Sequence, residues 1–132
     1  MAILTPLYTL QTVSSTGPLS PVSVSSVNSD WSLCTECIAL SPASQAVINF
    51  EESLTGFSTS RVLWTVVWNG ALGNATGSYS AGTFDPSSAK QSLRAYQLEG
   101  TSYMGTAGAQ LRANIVELTD NGAVTWSAWL ET

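Results

Sequence analysis

Arg61-Val62-Leu63-Trp64-Thr65-Val66-Val67-Trp68-Asn69, followed at once by Gly70, decides the fold class. The segment is built almost wholly from β-branched and aromatic residues, which suit a pleated strand. Alternation puts Val62, Trp64, Val66 and Trp68 on one side and Leu63, Thr65 and Val67 on the other. Both faces are apolar, which predicts a central strand covered on both sides. Asn69-Gly70 then supplies a turn.

Working outward, the same kind of run recurs. Strands are expected over Leu7 to Val13, Val22 to Val27, Ala46 to Phe50, Leu93 to Glu99, Gln110 to Leu118 and Ala123 to Leu130, each bounded by Gly, Asn, Asp or Ser. Thr119-Asp120-Asn121-Gly122 between the last two predicts a closing hairpin. In its return strand Val124, Trp126, Ala128 and Leu130 form a core face, and Ala123, Thr125, Ser127 and Trp129 a semi-polar one. Gly73 to Ser80 reads as a loop or weak edge strand. Asp85-Pro86-Ser87 opens the one helical signal, a short turn with Asp85 as cap and Pro86 at the first helical position. Seven short strands with scarce helical periodicity specify an all-β chain, a single β-sandwich or jelly-roll-like domain.

Met1 to Ser29 contains no charged side chain, and Pro6, Pro18 and Pro21 interrupt any helix. This stretch reads as an extended arm, residues 1–29, preceding a sandwich domain, residues 30–132. An uncharged extended segment is most stable when its backbone pairs with another surface. Leu4, Leu7, Tyr8, Leu10 and Val13, with Trp129 on the last strand, are therefore the expected interface residues.

Charged residues make up only 10% of the 132 positions, and the net charge is -5. Polarity comes from Ser, Thr, Asn and Gln, which suits a surface packed against neighbours. The four basic residues, Arg61, Lys90, Arg94 and Arg112, cannot neutralise a run of phosphates, which argues against nucleic acid and against anionic membranes. No apolar run reaches the roughly 20 residues of a membrane span. Met1 to Pro6 lacks the positive region of a secretory signal, so synthesis in the cytoplasm is expected.

The chain has no histidine, which removes the commonest general base and metal ligand, and Lys90 sits in a polar context that would not lower its pKa. Glu51 and Glu52, with Asp85, Glu99 or Glu117, are the carboxylates available for acid-base work. Adjacent strand residues point apart, so Glu51 and Glu52 converge only at a bulge, and solvated strand-end charges are the favoured reading. No catalytic, cofactor or metal residue is therefore expected. Cys34-Thr35-Glu36-Cys37 matches C-x-x-C without the two further ligands zinc requires. Two thiols in a semi-buried loop are the first reading of Cys34 and Cys37, a disulfide the second, redox or metal chemistry the last. Asn74-Ala75-Thr76 is a glycosylation sequon, read as accidental, and turn formation explains Asp120 and Asn121 without calcium.

Five tryptophans in so short a chain serve a core, an interface or a sugar platform. Trp64 and Trp126 are assigned to the core, while Trp31, Trp68 and Trp129 are open to the other roles. In its short, acidic, signal-less, Ser/Thr/Gly-rich β character the whole chain resembles the small virion accessory proteins of tailed bacteriophages, of the capsid decoration or cement type. That resemblance implies trimers or similar oligomers, made in the host cytoplasm and located in the virion, that clamp neighbouring subunits of the major capsid protein. A tail or connector component is the near neighbour. The alternative is a carbohydrate-binding or adhesin-like sandwich, with Trp68, Tyr79, Tyr103 or Trp129 stacking on a sugar and Asn74, Asp85 or Asn121 orienting its hydroxyls.

Overall fold

The computed structural model describes residues 4–27, 31–40, 45–69, 76–79, 92–96 and 103–131. Two antiparallel sheets face each other. The first has the order β1 (Leu4–Val13), β10 (Val124–Glu131), β4 (Ser32–Leu40), β8 (Ser92–Tyr96). The second runs β2 (Gly17–Pro18), β9 (Gln110–Leu118), β5 (Gln45–Ser53), β6 (Arg61–Asn69), β7 (Thr76–Tyr79), and β3 (Val22–Ser23) joins β9 farther along the edge that β2 occupies. The expected all-β class is what the chain adopts. Gly73 to Ser80 contributes the edge strand β7, and the helical turn expected at Asp85 lies outside the described residues.

Alternation builds the core from the facing sides of both sheets. Leu33, Cys37, Val124, Trp126, Ala128 and Leu130 come from the first, and Ala46, Ile48, Phe50, Trp64, Val66, Trp68, Leu111, Ala113 and Ile115 from the second. A file of rings crosses between them. Tyr8 lies 5.5 Å from Trp126, Trp126 lies 6.3 Å edge-on from Phe50, and Phe50 stacks on Trp64 at 5.6 Å. The assignment of Trp64 and Trp126 to the core holds, and Trp68 and Trp31 are buried with them. The indole N–H groups of Trp64, Trp68 and Trp126 meet no protein acceptor, so these rings contribute by bulk and dispersion alone.

Three expectations need correction. The arm is not separate: β1 pairs with β10 along the first sheet, and after a few residues β2 and β3 pair with β9 in the second, so this uncharged stretch closes one side of the sandwich. Pairing satisfies its backbone inside its own domain, and Leu7, Tyr8 and Val24 enter the core. The Tyr8 hydroxyl locks the arrangement by donating to the Ser20 carbonyl at 2.7 Å and accepting the Ala113 N–H at 2.9 Å. Secondly, β9 and β10 are not a hairpin. Asp120 takes the left-handed conformation (φ 53, ψ 37), Gly122 is extended, and the short 3-10 turn Thr119–Asn121 carries the chain from one sheet to the other. Thirdly, the C-x-x-C segment is no loop, because Ser32–Leu40 is an inner strand between β10 and β8.

Bulges then decide which side chains turn outward. In β6 the pairings Phe50 with Trp64 and Glu51 with Val62 leave Leu63 as an extra residue, so Leu63 and Trp64 are both buried and Val62 is exposed. The same slip moves Arg61 to the inner side, opposite Glu52. Gly105 (φ 85) sits where a side chain would come within 2.8 Å of the Val27 carbonyl oxygen, so glycine alone lets the 103–109 turn seat against that segment.

Candidate functional site

Glu51 and Glu52 are not the solvated strand-end charges expected of them. Glu52 is fully buried on the inner side, where it accepts Arg61 Nε at 2.8 Å and the Tyr103 backbone N–H at 2.9 Å, and Arg61 lies 3.8 Å from the centre of the Tyr103 ring. Glu51 leaves the opposite side of β5 and accepts Arg112 Nε at 2.8 Å and Asn114 Nδ2 at 3.1 Å. Each carboxylate thus has its own arginine, with the strand between the pairs. Glu117 is exposed on β9, and Asp85 and Glu99 lie outside the described residues. Among the described residues no three His, Cys, Asp or Glu side chains gather as a metal site.

Cys34 and Cys37 are both buried thiols, and the disulfide between them is excluded by geometry. Three residues apart on a strand they point to opposite faces, with Cα atoms about 10 Å apart, beyond the roughly 7 Å a disulfide can bridge. Cys37 faces the core and donates to the Ala39 carbonyl at 3.5 Å, whereas Cys34 lies 3.2 Å from Glu131 Oε2 on the outer side. Burial pushes the Cys37 thiol from 9.0 up to about 12, with the adjacent Glu36 charge adding to the rise and the Ala39 bond opposing it. Burial likewise raises the Tyr8 phenol.

A group with a raised folded-state pKa stabilises fully below its unfolded pKa and loses that contribution as pH climbs toward the folded value. Stability is therefore expected to be level across neutral pH and to fall from pH 9.0 toward about 12. Urea midpoints over that range check this, and a midpoint that rose above pH 9.0 would contradict it.

The expected interface residues divide. Leu7 and Tyr8 are spent in the core and Val13 is half-buried against it, so these three are not free contact residues. Leu4 lies on β1 opposite Glu131. Leu10 and Trp129 remain outside: Leu10 is 57% exposed, and Trp129 is half-buried on the outer face of the first sheet. Leu10 is exposed because β1 slips by one residue between Tyr8 and Gln11. Ile38 on β4, 48% exposed, faces outward by alternation with the inward Leu33, Thr35 and Cys37, and a slip between Cys37 and Ala39 leaves Ala39 exposed beside it. β1 and β4 flank β10 on either side, so Leu10 and Ile38 stand across one strand, about 10 Å apart, beside a Thr12–Thr125 hydroxyl pair at 2.8 Å. Sequence reading misses Ile38 because it expects a loop at Cys34 to Cys37, and only a strand there places Ile38 on the outer face.

A cleft of about 310 Å³ opens where β1 meets the β2–β3 segment, lined by Leu7, Tyr8, Gln11, Leu19, Pro21 and Val22 among others. It lies at the seam where the two sheets are joined. No protein family, curated protein or solved structure matches this chain. The described large aromatics are mostly interior. Trp68 is lost as a sugar platform, Tyr103 packs against the core beneath Arg61, and Tyr79, Asn74, Asp85 and Asn121 present no described side chain.

Proposed function

We propose that this protein is a structural subunit of a virion, of the capsid decoration or cement kind, which oligomerises and clamps neighbouring shell subunits. The supporting observation is the outer face of the first sheet, where Leu10 and Ile38 stand exposed on the two strands flanking β10 amid hydroxyl side chains. Exposed aliphatic groups among short hydroxyls desolvate at little cost, the character of a contact surface. The arm contributes by shaping this face rather than by reaching across to another subunit.

Replacing Leu10 and Ile38 together by lysine tests the reading. Both side chains are largely exposed, so folding should change by less than about 0.5 kcal/mol each. The variant is expected to have a lower mass by light scattering than the native chain at the same concentration, with an unchanged unfolding midpoint. Equal masses for the two would refute it.

A further inference from the structure

The outer face of the second sheet, on the opposite side of the molecule, carries a polar cluster that assembly leaves unused. Asn49 stands directly opposite Asn114 on β9 and Thr65 on β6, and Glu51 stands opposite Arg112 one pleat repeat along. Residues two apart share a face, so all five belong to one surface. Thr65 donates its hydroxyl to Asn49 Oδ1 at 2.8 Å, while Glu51 takes Arg112 through one oxygen and Asn114 through the other. A carboxylate only accepts, so Asn114 must direct its NH2 to Glu51, which leaves its Oδ1 as a spare acceptor. Among the described residues no protein group bonds that oxygen, Asn49 Nδ2 or the terminal nitrogens of Arg112. The cluster therefore holds both donors and acceptors in reserve.

Phe57 adds an independent observation. It holds φ at 68 directly after Gly56 at 64, a left-handed conformation that a bulky residue adopts only under strain. The hairpin loop enforces it. Ser53 Oγ accepts the N–H groups of Thr55 and Phe57 at 3.0 Å and donates to the Thr59 carbonyl. The outcome is a half-buried ring whose centre lies 4.2 Å from the Arg112 guanidinium carbon, at the end of the polar row. Glycine would fit this backbone without strain, so the ring is held here at a conformational cost.

We propose that this face is a binding site for a neutral carbohydrate. Vicinal hydroxyls both donate and accept, matching Arg112 and Asn49 as donors and Asn114 as acceptor, and Phe57 supplies an apolar edge for a sugar ring. Glu51 cancels the charge of Arg112, so an anion gains little here. The row spans two inter-strand spacings, about 10 Å, the reach of a disaccharide. The site is independent of the assembly reading because it lies on the other sheet.

The test is an NMR titration of the full chain with cellohexaose, maltohexaose and chitohexaose, following the Arg112 Nε–H and the Asn49 and Asn114 side-chain amides. Saturable shifts centred on these groups are expected with at least one sugar. Phe57→Gly, which relieves the strained backbone and should fold, and Asn49→Ala are each expected to weaken that binding at least tenfold while leaving the backbone spectrum native. No saturable shift with any of the three sugars overturns the proposal. So does binding that both variants leave unchanged.

Discussion

A chain beginning at Asp30 is expected not to fold. It would lose β1, β2 and β3, and with them Leu7, Tyr8 and Val24 from the core. Burial of side chains of this size stabilises by about 2 kcal/mol each, roughly 6 kcal/mol in all, against a total of about 5–15 kcal/mol for a domain. The deletion would also bare β9 along the edge that β2 and β3 cover and β10 along the whole length of β1, and unpaired ladders of that kind invite aggregation. Loss of the dispersed native NMR spectrum and of a cooperative urea transition is the predicted result. A soluble truncated chain with native spectra would mean that the segment is dispensable.

Trp126→Ala is expected to remove about 3–5 kcal/mol. Trp126 is fully buried at the midpoint of the ring file, touching Tyr8 from β1 and Phe50 from the other sheet. Its truncation opens a cavity where the two sheets and the N-terminal segment meet. Trp126→Phe should cost on the order of 1–2 kcal/mol, since the lost indole N–H has no acceptor. Urea unfolding of both variants distinguishes a position that needs ring volume from one that needs a hydrogen bond. Equal destabilisation by both would contradict the packing account.

The strands over Arg61 to Asn69 and Gln110 to Leu118 were legible to the residue, because dense β-branched and aromatic runs admit few alternatives. What failed was pairing. Asn121-Gly122 is a strong local hairpin signal, yet β9 finds β5 on one side and β2 and β3 on the other, and long-range partners outweigh two turn residues. Absence of charge in residues 1–29 suits a foreign surface and a segment buried against its own domain equally, and the pairing of β1 with β10 selects the second. Ser32–Leu40 escaped notice because Cys, Thr and Glu break the apolar run, although Leu33, Thr35 and Cys37 alternate inward.

The sites were legible only in part. Leu10 and Trp129 keep the exposed or half-exposed positions expected of contact residues, but Ile38 turns outward only because Ser32–Leu40 is a strand, where the sequence suggests a loop. The polar row of Asn49, Glu51, Thr65, Arg112 and Asn114 draws on three strands, and only their register brings it together. Glu51 and Glu52 read as interchangeable neighbours, yet alternation along β5 sends one to the outer cluster and the other to the buried Arg61 pair.

Absolute mass in solution, measured by light scattering on the native chain over a range of concentrations, tests the assembly account most directly. The account predicts a discrete oligomer, an integer multiple of the chain mass that holds on dilution until subunits separate as folded monomers with β1 still paired to β10. A chain that stays monomeric at every concentration would contradict it.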